Sequence, residues 1–305
     1  MIMKHNMLDG RNSAYDKAAK QILSQKKLLA WILKHTVKEF ESFSIKEIAE
    51  SCIEHPLVAT EHVNADDIGI DTGNKIRGSR NESDSVSEGT ITFDILFHAI
   101  VPNTKERIAL IINVEAQKNI DTPYPLIKRA LYYVSRMISF QKETEFTGSD
   151  YGNIKKVYSI WLCMDSPTKQ NSITGYQIMP YEIYHMQPED ERNYDLLSII
   201  MVYLGAEKSQ NRLIELLRLL FIDEASAAEK IQHLQQDYNI EFSNTQRKEL
   251  NTMCNLSEGI FERGIEKGRI ENVIDLIKMG LLTFDAIKKS GKYTPEELSI
   301  INARL

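Results

Sequence analysis

Two apolar runs of this chain each carry an acid where solvation is poor. The run from Ile91 to Ile100 contains Asp94, and the run from Ile108 to Val114 leads into Glu115, Ala116 and Gln117. Both are rich in β-branched and aromatic residues and too short and uniform for amphipathic helices, so they read as strands buried on both faces or nearly so. A carboxylate there is expensive unless it is paired or holds a cation. Between the runs, Pro102-Asn-Thr-Lys-Glu106 is polar and breaks the pattern, which predicts an antiparallel hairpin. With the loop centred on Thr104 and Lys105, Asp94 faces Glu115 to within a register step. Side chains alternate along a strand, so Gln117 shares the face of Glu115 and Ala116 points away.

Two acids brought together in a low-dielectric site repel and take up a proton unless a cation keeps them ionised. Mg²⁺ is the usual hard cation for such a pair, bound through one or two carboxylates with waters and phosphate oxygens completing the octahedron. Asp94, Glu115 and the carbonyl of residue 116 offer three oxygens and leave positions for water and a phosphodiester. That donor set suits metal-assisted phosphodiester hydrolysis. Set against this, a lone acid in a strand is commonly an edge or capped residue.

These residues also carry a resemblance. Glu88 to Ile95, Asn113 to Lys118 and Tyr124 to Tyr133 resemble the core of the PD-(D/E)XK nuclease family transposases, a group related to the Rpn recombination-promoting nucleases. The likeness extends to Tyr15-Asp-Lys-Ala-Ala-Lys20 and to the Gly-spaced segment near Glu266-Lys-Gly268, and so covers most of the chain. It implies an α/β fold with a restriction-endonuclease-like mixed sheet flanked by helices. The implied activity is that of a Mg²⁺-dependent DNA endonuclease, with Mn²⁺ as a substitute ion, associated with mobile elements or recombination. Asp94 and Glu115 become the metal ligands, and Gln117 stands where the motif has lysine. Glutamine is a variant this group uses, but it orients water by hydrogen bonding alone and brings no charge. Lys118 is adjacent but turned to the opposite face by strand alternation; Lys128, on the following helix, is the better placed source of charge.

The chain has 305 residues, 42% hydrophobic and 26% charged, the composition of an ordinary globular protein. No apolar stretch is long enough to span a bilayer and no leader-like segment opens the chain, so the expectation is a cytoplasmic protein with no membrane partner. Cys52, Cys163 and Cys254 have no zinc or redox spacing and fit a reducing compartment. A net charge of −6 argues against a protein that coats nucleic acid. It leaves room for a local basic face, and Lys118, Lys128, Arg129, Arg136, Lys155 and Lys156 all follow the acids.

Along the chain, Ser13 to Asp16 starts a helix that runs on through Leu33, and Asp16 is either its N-terminal acid or an accessory acid of the site. A second amphipathic segment spans Ser44 to Ile53. Residues 61–89 read as a flexible loop, either a cover for substrate or an inert insertion, with Glu88 at its end as a further accessory acid or a solvated one. Pro123-Tyr-Pro125 opens a helix to about Gln141, on which Lys128, Tyr132 and Arg136 recur every four residues beside Arg129 and Tyr133. That spacing suits a DNA phosphate backbone or a plain solvated stripe. Val157 to Cys163 is a buried strand, Tyr176 to Tyr184 another, and Leu196 to Leu204 and Leu213 to Phe221 read as strong apolar helices. The histidines show no paired ligand spacing, His98 alone falling near the acids.

The organisation expected is a nuclease-like domain over residues 10–240 and a C-terminal helical module over 241–305, the latter a packing or homo-oligomer element rather than a DNA reader. The competing reading is a catalytically inactive binding or regulatory module on a nuclease fold, since the lysine is missing and the chain is acidic.

Overall fold

The computed structural model describes residues 14–54, 57–58, 82–85, 89–101, 108–117, 120 and 122–305. Residues 16–251 make one compact unit and residues 252–305 belong to a second. In chain order the elements are α1 (14–23), α2 (Lys26–Thr36), a 3₁₀ turn (Lys38–Phe40), α3 (Ile45–Glu47) with a π-helical turn (Ile48–Cys52), β1 (Leu57–Val58), β2 (Glu82–Ser85), β3 (Gly89–Thr92), β4 (Ile95–Val101) and β5 (Ile108–Gln117). They continue with α4 (Leu126–Ser139), β6 (Val157–Cys163), β7 (Ser172–Gln177), α5 (Glu191–Tyr194), β8 (Leu197–Tyr203), α6 (Arg212–Phe221), α7 (Ala227–Tyr238), α8 (Asn244–Lys278), α9 (Phe284–Lys289) and α10 (Pro295–Arg304).

The fold is α/β. A mixed six-stranded sheet has the order β1-β4-β5-β6-β8-β7. β4 and β5 form the expected antiparallel hairpin, β6 and β8 run parallel to β5, and β7 returns antiparallel on β8. α4 supplies the crossover from β5 to β6, the connection a parallel pair requires. Its apolar residues Leu126, Ala130, Val134 and Met137 recur at helical spacing and pack on Leu96, Ile111, Val157, Trp161, Ile199 and Met201 of one sheet face. On the other face Tyr158 donates to Glu39, which brings the turn after α2 to that side. β6 is buried along its whole length, as a central strand covered on both faces must be.

Four local expectations differ from the structure. Leu197–Tyr203 is strand β8, not a helix: its uniform apolar run carries no period, and its place between β6 and β7 decides for the sheet. β7 ends at Gln177, so most of the strand expected over Tyr176 to Tyr184 is irregular chain. The first long helix is two, α1 and α2, broken at Ser24 and Gln25. Part of the segment read as a loop is a small ladder, Glu82–Ser85 pairing antiparallel with Gly89–Thr92 through backbone groups that need no apolar pattern; residues 59–81 and 86–88 lie outside the described residues.

Helix ends follow their caps. Asn211 accepts the Leu213 and Ile214 N–H groups at the start of α6, and Ser226 with Glu229 forms a capping box on α7. In the second unit, Thr294 and Glu297 box the start of α10 behind Pro295, and Ile270, Val273, Ile274, Ile287 and Ile301 close a small core. Among the described residues no helix is long and apolar enough to cross a membrane.

Candidate active site

The hairpin pairs Ile95 with Val114 and Val101 with Ile108, and one further step sets Asp94 opposite Glu115. Asp94 occupies a bend just before β4, where its N–H has left the ladder and needs another acceptor. Glu115 provides one: the Asp94 N–H donates to Glu115 Oε1 at 3.0 Å, and the Ala116 N–H donates back to Asp94 Oδ2 at 3.0 Å. The two carboxylates are thereby locked across the hairpin by neutral backbone donors. Glu115 is buried, with 4% of its surface exposed. Lys20 of α1 reaches the same place, its Nζ lying 2.7 Å from Asp94 Oδ1.

The parallel register sets Glu115 beside Trp161 and Gln117 beside Cys163. Phe93, Tyr133 and Trp161 form an aromatic wall there, with ring centroids 5.6 Å apart for Phe93 and Tyr133 and 5.5 Å for Tyr133 and Trp161. Burial and then the Glu115 charge push the Tyr133 hydroxyl up to about 12, against the pull of Arg129. Burial likewise pushes the Cys163 thiol up to about 12, so it is a packed thiol and no nucleophile. Arg129 of α4 lies 4.7 Å from the Trp161 ring centre and donates from Nη2 to Gln117 Oε1 at 2.6 Å. That bond fixes the glutamine, leaving its Nε2 end turned away from Arg129. The Arg129 Nε is buried and meets no acceptor among the described residues.

The cluster sits at the C-terminal end of β5, the strand that pairs antiparallel with β4 on one side and parallel with β6 on the other. Asp94, Glu115 and Gln117 are brought together here, with Arg129 behind the glutamine. Asp16 is exposed on α1 one turn before Lys20, on the same face of that helix. Lys128 and Tyr132 are exposed on α4, whereas Arg136, expected beside them, is buried with 5% of its surface exposed. The expected phosphate stripe is therefore interrupted, because the C-terminal half of α4 sinks into the core around Val134 and Met137. Glu88 and Lys118 lie outside the described residues. His98 belongs to another cluster: about 13 Å along β4 from Asp94, its Nε2 lies 3.1 Å from Glu145 Oε1, and Lys155 pairs with the same carboxylate.

The donors present suit a hard divalent ion. Asp94 and Glu115 supply oxygens only, and among the described residues no group of three or more His, Cys, Asp or Glu that could hold a metal ion is present. Sequence reasoning gave no role to Lys20, although Asp16 and Lys20 share a helix face, and it placed Trp161 only in a buried strand. Both join the site through long-range docking that no local pattern announces.

Compared with known proteins, the chain matches no family model, no curated protein and no solved structure.

Proposed function

We propose that this chain is a divalent-metal-dependent deoxyribonuclease with a restriction-endonuclease-like core, of the PD-(D/E)XK nuclease family transposase kind, cutting DNA phosphodiester bonds in the context of mobile elements or recombination. The observation that carries the reading is the pair of carboxylates crossed over the hairpin at the C-terminal end of β5, one of them buried. Asp94 and Glu115 would hold Mg²⁺ or Mn²⁺, which when bound polarises the phosphate and lowers the pKa of the attacking water. The crossed backbone bonds keep both carboxylates oriented before any ligand arrives, so little reorganisation is needed on binding.

Gln117, held by Arg129, orients the nucleophilic water by hydrogen bonding. The charge that a lysine would bring comes from Lys20 on α1, beside Asp94. The Arg129 Nε–H, with no acceptor among the described residues, gains one when a phosphate oxygen enters; an unmade buried bond of this kind costs about 1–3 kcal/mol. Lys128 and Tyr132, exposed on α4, meet the DNA backbone outside the site. The test is plasmid nicking by the purified chain with Mg²⁺, Mn²⁺ or EDTA, alongside Asp94→Asn. Metal-dependent nicking lost in the variant supports the reading, and nicking that survives the substitution sinks it.

One observation favours a second reading. Lys20 already compensates Asp94, and Gln117 is already bonded to Arg129, so the cluster is internally paired without an ion. A non-catalytic DNA-binding or regulatory module would look the same. Calorimetric titration with Mn²⁺ separates the two: no metal binding that depends on Asp94 and Glu115 leaves the module.

A further inference from the structure

The chain that leaves β7 is apolar and uncovered. From Ile178 to Met186 it has no regular strand or helix, and Ile178, Met179, Tyr181, Ile183, Tyr184 and Met186 are 47 to 84% exposed. At about 200 Å² for a fully exposed side chain of this size, they present about 800 Å². Patches on stable monomers are commonly about 300–600 Å². The arm is also continuous with an open edge, since β7 ends the sheet order and pairs only with β8 among the described residues. β7 reads Ser-Ile-Thr-Gly-Tyr-Gln, with no lysine, proline or acid to guard that edge.

We propose that this edge and arm dock a second copy of the chain, β7 pairing antiparallel with the β7 of its mate across a two-fold axis. Identical edge strands meet antiparallel under two-fold symmetry, and an isologous contact buries the same patch on both copies. Doubling the arm gives about 1,600 Å², the size of a standard stable interface. DNA and anionic lipid are the wrong occupants, because Glu182, Glu189, Asp190 and Glu191 put negative charge in and beside the arm. The C-terminal helices, the expected oligomer element, instead close Ile270, Val273, Ile274, Ile287 and Ile301 into their own core, though Met279 and Leu281 remain exposed. The contact leaves the acid site open. Gln177 pairs with Ser198 at the start of β8, whereas Glu115 and Gln117 lie at the end of β5, which shares the direction of β6 and β8.

Sedimentation velocity on the full chain across the micromolar range tests this, with Tyr181→Glu and Ile183→Glu as variants. Both residues are largely exposed, 78 and 84%, so the substitutions leave far-ultraviolet circular dichroism unchanged. The expected result is a dimer whose dissociation constant rises at least about 100-fold in the double variant. Hydrogen exchange should show β7 amides protected in the dimer and released in the variant. A monomeric parent overturns the proposal, including one whose arm captures vesicles of anionic phospholipid or another protein instead. So does a dimer indifferent to both substitutions, and a dimer with unprotected β7 amides overturns the strand pairing.

Discussion

Two carboxylate clusters lie on opposite faces of the sheet, and they are satisfied in different ways. On one face Lys156 places its ammonium 2.9 Å from Glu39 Oε1 and 2.6 Å from Asp195 Oδ2, while Tyr158 donates to Glu39 Oε2 at 2.6 Å. Burial and the Glu39 charge raise the Tyr158 hydroxyl well above the ordinary tyrosine range, so it stays a donor. Side-chain groups from distant segments knot together there and tie the turn after α2 to β6 and the start of β8. On the other face, Asp94 and Glu115 sit on facing strands and take backbone N–H groups. Backbone donors orient a carboxylate without cancelling its charge, and Lys20 stands beside Asp94. The first arrangement ties distant elements together through side chains, and the second fixes two carboxylates on facing strands through backbone groups, the arrangement that the proposed metal site uses.

The comparison breaks most sharply on isosteric substitutions. Asp94→Asn or Glu115→Gln should lower metal-dependent nicking by about a thousandfold with the melting temperature nearly unchanged. Lys156→Met should do the reverse, costing about 1–3 kcal/mol by stranding two half-buried carboxylates while leaving nicking per folded molecule intact. Urea titration and the nicking assay on the same preparations read both. If Lys156→Met abolishes nicking and Asp94→Asn mainly unfolds the chain, the two roles have been assigned the wrong way round.

The next effect concerns the polar groups around the acids. Gln117→Ala and Lys20→Met should each lose about a hundredfold in rate, the first by misplacing water and the second by removing charge. Single-turnover kinetics with saturating DNA isolates the chemical step; a Lys20→Met rate equal to the parent would confine that lysine to structure. Gln117→Lys should be about tenfold slower than the parent, because the new ammonium meets Arg129 where a 2.6 Å hydrogen bond stood. Pairing it with Arg129→Gln should recover the loss, and failure to recover would mean Arg129 acts on something other than Gln117.

The smallest effect is a control at Glu145, in the cluster with His98 and Lys155. Burial alone would raise the Glu145 carboxyl, but the Lys155 and His98 hydrogen bonds and charges outweigh it and hold Glu145 below its ordinary 4.5. A depressed folded pKa contributes stability that is present above the unfolded value and lost as pH falls through the folded one. Glu145→Gln should therefore be less stable than the parent at neutral pH, and the gap should narrow as pH falls through the depressed carboxyl's own range. Melting curves at several pH values check this, and a gap that widens in acid would reverse the assigned sign.

The sequence by itself determined the hairpin, its register and the helix after it. Each depends on local features: β-branched runs around a polar break, alternation that turns Glu115 and Gln117 to one face, and Pro125 ahead of the apolar spacing of Leu126, Ala130, Val134 and Met137. The apolar helix read over Leu213 to Phe221 was legible in the same local way and falls within α6. The tertiary structure decided the rest. Leu197–Tyr203 has no period to favour helix or strand, and the open lane between β6 and β7 settled it. Arg136 recurs at the spacing of an exposed stripe, yet the depth of the helix end buries it. Lys20 and Trp161 lie 74 and 46 positions from Asp94 and Glu115 respectively, and only the docking of α1 and the parallel pairing of β6 bring them to the acids. Local chemistry fixes which way a side chain points on its own element, whereas a site needs to know which elements meet, and that is set by burial summed over the whole sheet.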